Sequence, residues 1–499
     1  MSGTRLTYRF GPLERRGIFG PVRAGQVVIL ALGALVAIGA LNQAPTATGA
    51  LVASIVFAAA VAAALAPVGS RTVEEWAPVV LAFALRRLRR RTAFRARVPV
   101  RGQRARLRGW RGEFTIEDSH PEAPASLAGV RIVQASYRDR PIGALSERSG
   151  RLLTAVLACR VLGFSLLDPE AQERRLARWG LVLSGASNTA IRRIQWVERT
   201  APAQGDELAR WLHNERDPAI PLRGTPMIES YLELIGTTAR VSQEHEILVA
   251  VQIDGRRVRD RGADVTTQAL VEQTERIAQG LEAAEVSVLG ALSPGQLSRV
   301  LRTAFDPYAR AELAALETAD PERDGLAPVN AWPLGSAEAW DHYRSDGAVH
   351  ATYWIGGWPR VDVSPMFMDA LLGRASAVRT VAVTFEPIAP ERSTREVEAA
   401  VTRDRADREL RHRFGQSETA RQRQAQDATV RRESELAAGH SEVRLAGFVT
   451  VSGRDRDELR HAASEMLEHA ARARLELHRM YGQQADAFTF TLPLCRGLQ

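Results

Sequence analysis

The 499-residue chain contains no lysine: all 66 of its basic residues are arginine. That absence excludes several chemistries at once. A Walker A loop needs a lysine on the β/γ-phosphates, a Schiff-base enzyme needs an amine nucleophile, and a protein kinase needs the lysine that pairs with its αC glutamate. No two glycines stand two positions apart, so the GxGxxG dinucleotide loop is missing as well. The two cysteines, Cys159 and Cys495, are too few for a disulfide framework or a cysteine zinc site. Arginine in place of every lysine is most simply a bias towards GC-rich codons.

Charge is also missing locally. Between Arg23 and Arg71 no residue is charged, a gap of 47 residues. A bilayer core of about 30 Å takes about 20 apolar residues per helix, so the gap fits two spans joined by a short turn. Gly25 to Leu41 reads as one span, Gly49 to Ala66 as the other, and Asn42-Gln43-Ala44-Pro45-Thr46 as the turn. Both segments are apolar all round, whereas a soluble helix carries one polar face. Their alanine and glycine content suits close helix packing. A cleaved signal peptide has a shorter apolar region and no second span. Arginines flank the pair: Arg5, Arg9, Arg15, Arg16 and Arg23 before it, and Arg71, Arg86, Arg87, Arg89, Arg90, Arg91, Arg95 and Arg97 after it. By the positive-inside rule both termini are expected in the cytoplasm.

The net charge of +8 divides unevenly: residues 1–111 hold 18 arginines and three acids, a net of +15, which leaves −7 for the rest. The basicity is therefore a juxtamembrane collar. A run such as Arg86-Arg87-Leu88-Arg89-Arg90-Arg91 is attracted to anionic head groups by roughly 1 kcal/mol per arginine. The competing reading is a phosphate-binding stripe for nucleic acid, which a mildly acidic body does not favour.

After the collar, the pattern predicts an α+β region. Expected strands are Val130–Tyr137, Gly163–Leu167, Ala190–Arg199, Glu246–Ile253, Glu285–Leu289, His350–Ile355, Val378–Pro387, Val443–Val451 and Ala487–Leu494. Expected helices are Ser149–Leu162, a stretch opened by Asp168-Pro169 and ending near Ser184, Asp206–Arg216, Pro226–Gln243, Asp264–Ala283, Ser293–Phe305, Pro365–Leu372 and Asp455–Tyr481. Asp306–Gly347 reads as a helix followed by a linker. Ser393–Gly439 mixes both charge signs at helical spacing and predicts an exposed helical hairpin bent near Gly415. The expected organisation is a basic N-terminus (1–24), a transmembrane hairpin (25–66), a basic juxtamembrane segment (67–111), an α+β lobe (112–310), a linker (311–348) and a second α+β lobe (349–499) that contains the hairpin 393–439.

No catalytic set emerges. The ten histidines are scattered, without HExxH. His412, His461, His469 and His478 lie among arginine and glutamate on expected helices, and Glu244 and Glu246 flank His245 at a helix-to-strand turn. Ser184-Gly185-Ala186-Ser187 lacks the GxSxG elbow. Tyr353, Trp354 and Trp358 form the densest aromatic group, readable either as core or as a partner surface. No cofactor or metal is expected, and neither is an enzymatic activity.

Two segments carry a family resemblance. The run Tyr353 to Arg360 (YWIGGWPR), followed by the strand ending at Pro387, resembles the N-terminal domain of TraC-like ATPases of conjugative type IV secretion systems. So does the ending Ala487 to Leu494 (AFTFTLPL), which in that family comes before the nucleotide-binding domain; here the chain stops at Gln499. The apolar hairpin is similar to the PrgI-like two-helix inner-membrane subunit, and the arginine-only coding resembles actinobacterial proteins of this type. The resemblance implies a non-enzymatic inner-membrane scaffold that docks a separate P-loop ATPase and other membrane subunits; the charge pattern places Arg86, Arg87, Arg89, Arg90 and Arg91 at the membrane interface, against anionic lipids. Direct nucleic-acid binding is not expected. It implies that Trp354, Trp358, Pro359, Arg360, Leu492, Pro493 and Leu494 form a family motif or partner surface. The rival family is the EccE-like subunit of type VII secretion, which also places two spans before a cytoplasmic α/β domain. A membrane-bound enzyme without a visible site is the rival of another class.

Overall fold

A computed structural model describes residues 24–65, 67–68, 71–96, 106–109, 112–115, 122–137, 140–161, 163–202, 226–241, 243–258, 262–310, 313, 331–359, 361–413, 428, 430–436 and 441–498. Arg23 and the arginines before it, Arg97, the expected helix Asp206–Arg216, most of the expected linker, Arg360 and the bend near Gly415 lie outside these residues. The chain divides into two compact units, one comprising 11–91 and 396–433, the other 92–395 and 434–499 with the first ten residues.

The smaller unit is helical. Helices α1 (Ala24–Gln43) and α2 (Ala47–Leu65) pack against each other. Strands β1 (Pro67–Val68) and β2 (Arg71–Thr72) pair, and α3 (Val73–Leu88) follows. Of the juxtamembrane segment, Val73–Leu88 is helical.

The larger unit is built on one sheet of 13 strands among the described residues. Its strands are β3 (Ala93–Arg95), β6 (Arg131–Tyr137), β7 (Arg140–Glu147), β8 (Leu152–Arg160), β9 (Ile191–Pro202), β10 (Gln243–Asp254), β11 (Ser287–Ala291), β12 (Gly335–Glu338), β13 (Tyr343–Ser345), β14 (Ala348–Gly357), β15 (Val378–Pro387), β16 (Val443–Gly453) and β17 (Glu476–Arg479). A separate hairpin pairs β4 (Arg106–Gly109) with β5 (Gly112–Thr115). The larger unit's helices are α4 (Pro169–Gly185), α5 (Pro226–Val241), α6 (Ala263–Ala283), α7 (Pro294–Phe305), α8 (Asp369–Leu372), α10 (Arg456–Arg472) and α11 (Gln484–Phe488); α9 (Pro390–Arg413) starts in this unit and from residue 396 belongs to the smaller one, as do residues 430–433 of the helical stretch 430–436.

The sheet repeats one motif twice. The series β6-β7-β8-α4-β9-α5-β10-α6-β11-α7 is matched by β12-β13-β14-α8-β15-α9-β16-α10-β17-α11. In the first, β10 lies antiparallel between β8 and β9, and β11 pairs with β8. In the second, β16 lies antiparallel between β14 and β15, and β17 pairs with β14. Each is a split β-α-β unit, the ferredoxin-like arrangement, preceded by a meander. The two expected lobes share one sheet because β9 pairs antiparallel with β15, Thr200 opposite Arg379 through Ile194 opposite Phe385.

Two apolar cores lie on one face, with Leu270, Ile277 and Leu281 of α6 over the first repeat and Leu459, Ala463 and Met466 of α10 over the second. A single core covers the other face and draws on both repeats: Val197, Leu248, Leu301, Phe305, Ala382, Phe488, Leu492 and Leu494.

Several local expectations change. Within the expected helix 149–162, Leu152–Arg160 is the strand β8: its apolar run is buried in mid-sheet, where periodicity cannot tell helix from strand. Residues 164–166 form a 3₁₀ turn in place of a strand. The alternating ending 487–494 is α11 and a 3₁₀ turn, in which Thr489 and Thr491 donate back to the Asp486 and Phe488 carbonyls. The helix expected to reach Tyr481 stops at Arg472. Arg474 adopts φ 56° and Leu475 N–H bonds the Ala470 carbonyl, a left-handed cap with no glycine to announce it. The same cap ends α6, with Glu285 at φ 61°. The expected linker contributes β12 and β13, four and three residues long and too short to carry a periodic signal, while β7 escapes a sequence reading because Pro141 and Gly143 interrupt its pattern with turn residues. Caps that were legible hold: Asp168 accepts from Ala171 N–H, and Ser293 from Gln296 N–H.

Polar side chains bind the repeats together. Buried Gln195 of β9 donates to the Phe490 carbonyl at 2.7 Å and accepts from Cys495 N–H at 2.8 Å. Gln252 donates to the Leu494 carbonyl and Arg193 to those of Cys495 and Leu498. In the reverse sense, Tyr308, just after the first repeat, donates to the Ser452 carbonyl of β16. Gln195→Leu strands two buried backbone groups at roughly 1–3 kcal/mol each. We expect a loss of about 2–4 kcal/mol in unfolding free energy, measured by denaturant titration.

His350 is fully buried. Ser345 donates to the Phe305 carbonyl and so accepts from Nε2–H, leaving Nδ1 to accept from Ser452, each contact at 2.8 Å. Burial pushes the imidazole down to about 3. Its folded value lies below the unfolded one, so its contribution is complete above about pH 6.5 and is lost as pH falls towards 3, by at most about 1.4 kcal/mol per unit. A stability profile over this window is expected to flatten in His350→Gln.

Candidate membrane and assembly interface

The chemistry of the smaller unit begins with small residues. Gly33 lies so close to Ala60 on α2 that a side chain at 33 would collide with the Ala60 methyl, and Gly49 fits against Ala44 in the turn. Thr46 accepts from Gly49 N–H and starts α2. Gln26, buried in the apolar pair, donates across to the Ala64 carbonyl at 3.0 Å. Outward, the pair is apolar: Leu32, Leu35, Ile38, Leu51, Val52 and Ile55 are all exposed. The segments Gly25–Gln43 and Ala47–Leu65 are each 19 residues with mean hydropathy 2.0 and 2.2 and only 11% buried, which meets the demands of a bilayer by length and composition.

Helix α3 continues this surface. Thr72 N–H donates to Glu75 at its start, and Leu81, Leu85 and Leu88 are exposed along it. Arg86 stands over Phe83 and Arg71 over Trp76. At its end Arg91 N–H bonds the Arg86 carbonyl and Arg90 N–H the Arg87 carbonyl, with Arg90 at φ 53°. This Schellman turn gathers the collar: Arg86 is half-buried, and Arg87, Arg89, Arg90 and Arg91 are exposed. Apolar side chains beside exposed arginines are the make-up of a helix lying in a membrane interface.

The motif residues of the larger unit are placed differently. Trp354 and Trp358 are half-buried and Pro359 is buried. Leu492, Pro493 and Leu494 are buried too, and Leu492 and Leu494 belong to the shared core, so these three seal the sheet and are not a free surface. Arg360 lies outside the described residues. The two motif glycines have steric causes. A side chain at Gly356 would strike His478, and one at Gly357 would strike Glu476, both on the strand paired alongside.

The acids flanking His245 also separate. Glu246 pairs with Arg199 at 3.1 Å and Glu244 with Arg310 at 2.7 Å. His245 Nδ1 instead meets Glu198 at 3.1 Å and Thr200 at 3.3 Å. This group can share a proton, yet Thr200 is committed to the Leu372 carbonyl. Among the described residues no three His, Cys, Asp or Glu side chains gather as a metal site. Cys159 and Cys495 are buried free thiols, and burial pushes the first up to about 12. Sequence reasoning missed the arginine and glutamine clasp on the C-terminal segment; the signal was Gln195 and Gln252, amides inside otherwise apolar strands.

Residues 241–355 match the model of the family "Putative type VII ESX secretion system translocon, EccE". The match is under a quarter of the chain and runs from β10 to β14, across the end of the first repeat and the start of the second. None of the curated proteins matches the chain. The match is local, and it stands beside two apolar helices long enough to cross a membrane.

The packing of the apolar pair is testable. Gly33→Leu is expected to force the helices apart and lower the thermal midpoint of the purified protein in detergent by several degrees. Ala60→Gly in the same chain should restore most of it; an unchanged Gly33→Leu midpoint would show the contact to be unimportant.

Proposed function

We propose that the chain is an EccE-like, non-enzymatic membrane subunit of a type VII secretion machine. The observation that carries this is the family match over 241–355 in a chain that also has a 47-residue uncharged stretch folded as two apolar helices. The match favours type VII over the type IV resemblance of the YWIGGWPR and AFTFTLPL motifs, most of whose described residues serve the chain's own core. In this role α1 and α2 anchor the subunit, α3 and the arginine collar fix its cytoplasmic side, and the larger unit contacts other membrane subunits. A P-loop motor supplies ATP hydrolysis, and these 499 residues hold no lysine for it.

Affinity purification of the tagged full chain from native membranes, followed by mass spectrometry, tests the assignment. Type VII membrane subunits should co-purify; type IV conjugation subunits in their place, or the chain alone, would defeat it. Topology is tested separately with cysteine variants, since both native thiols are buried. Thr46→Cys should react with an impermeant maleimide added outside intact cells, and Arg89→Cys only after lysis. The opposite pattern would invert the orientation.

A further inference from the structure

The meander of the second repeat has its outer edge occupied: β3, which follows α3 in sequence, pairs antiparallel with β12, Ala93 opposite Ala337 through Arg95 opposite Gly335. The equivalent edge of the first repeat belongs to β6, and among the described residues no strand pairs with it except β7 on its inner side. Its outward groups can be identified. Gly143, opposite Gln134, sends its N–H away from β6 to the Leu292 carbonyl at 2.8 Å. Pro141, which has no N–H, stands opposite Ser136. Positions 132, 134 and 136 are therefore the non-bonded partners of β7, and their own N–H and C=O groups point outward. Arg131, Val133, Gln134 and Ser136 are exposed, and an open hollow lined by Gln134, Ala135, Ser136, Arg140 and Pro141 borders the strand.

Other edges of the sheet are blunted. The β8–β11 pairing is interrupted by a bulge at Val288/Gly290, with Gly290 at φ 137°, and β17 has four residues. By contrast β6 has seven residues in unbroken register with β7 and no proline. Such an edge is a template for strand addition.

We infer that β6 is a self-association edge, pairing antiparallel with β6 of a second copy about a two-fold axis through Gln134. Of the registers in which the outward groups bond one another, the one that overlaps all seven residues of β6 places Gln134 opposite its own copy, Ile132 opposite Ser136, Val133 opposite Ala135 and Arg131 opposite Tyr137. Arginine thus faces tyrosine and never a second arginine. Like charges directly opposite destabilise a strand pair, and this register contains none. An isologous contact needs such self-complementarity. The inference is independent of the secretion assignment.

The test uses the full chain in detergent micelles or nanodiscs. Gln134→Cys, with both native thiols buried, is expected to give a covalent dimer with a short bis-maleimide cross-linker, and Glu272→Cys on the exposed face of α6 is not. Hydrogen-bonded antiparallel partners lie about 5.5 Å apart at Cα, a span such a linker bridges. Two differently tagged copies are then co-expressed. Gln134→Lys in both, or Gln134→Glu in both, is expected to lower co-capture at least tenfold, and one of each to restore it. Loss in the like-charge pairs without restoration in the mixed pair would mean that a different polypeptide uses the edge. That outcome, or a Gln134→Cys dimer no more abundant than the Glu272→Cys control, would overturn the inference.

Discussion

The larger unit depends on the antiparallel pairing of β9 with β15. Each strand is the outer strand of its own four-stranded unit, so without this contact each repeat would present a raw edge and half a core. Joined, the two outer strands become central, and their lower faces form the floor of one core fed by both repeats. A sheet edge is a liability that a protein must pair, cover or blunt. Here the repeated motif places two such edges together in a single chain.

The polar clasp follows from that geometry. A strand at the centre of a sheet is buried on both faces, yet β9 carries Arg193, Gln195, Glu198 and Arg199, all largely buried. Three of these arms hold elements of the opposite face: Arg193 and Gln195 bind the C-terminal segment, and Arg199 donates to the Val300 carbonyl of α7. Because the C-terminal segment closes the second repeat but is bound by strands of the first, and Tyr308 reaches from the first to the second, neither repeat is complete alone. His350, Ser345 and Ser452 do the same at smaller scale, where burial keeps the ring neutral and every hydrogen-bonding atom finds a partner.

Much of the secondary structure was legible because its signals are local. The apolar hairpin was written in 47 consecutive uncharged residues, and α4 and α7 in Asp-Pro and Ser-Pro starts. Strands β9, β10, β14, β15 and β16 were written in β-branched and aromatic runs. Misreadings occurred where a local pattern has two physical solutions. The apolar run 152–160 suits a buried helix or a buried strand equally, and the alternating AFTFTLPL suits a strand until Thr489 and Thr491 are seen to bond their own backbone. Helix ends at Glu285 and Arg474 were invisible because residues other than glycine take the left-handed position, where the surrounding fold offsets a cost of order 1 kcal/mol. As for the candidate interface, the arginine collar could be read directly, whereas the burial of Leu492, Pro493 and Leu494 could not.

What the sequence determined by itself is whatever depends on composition within a stretch about as long as one element: the absence of lysine and with it of a Walker motif, the apolar pair, the +15 collar, and the α+β character of the rest. Which strands share a sheet, that the two lobes repeat one arrangement, and that Leu492 and Leu494 serve the core were decided only by tertiary structure. The reason is that strand pairing is satisfied between residues far apart in the chain, Arg379 with Thr200 or Cys495 with Gln195, and no local pattern records which distant backbone a given N–H will meet.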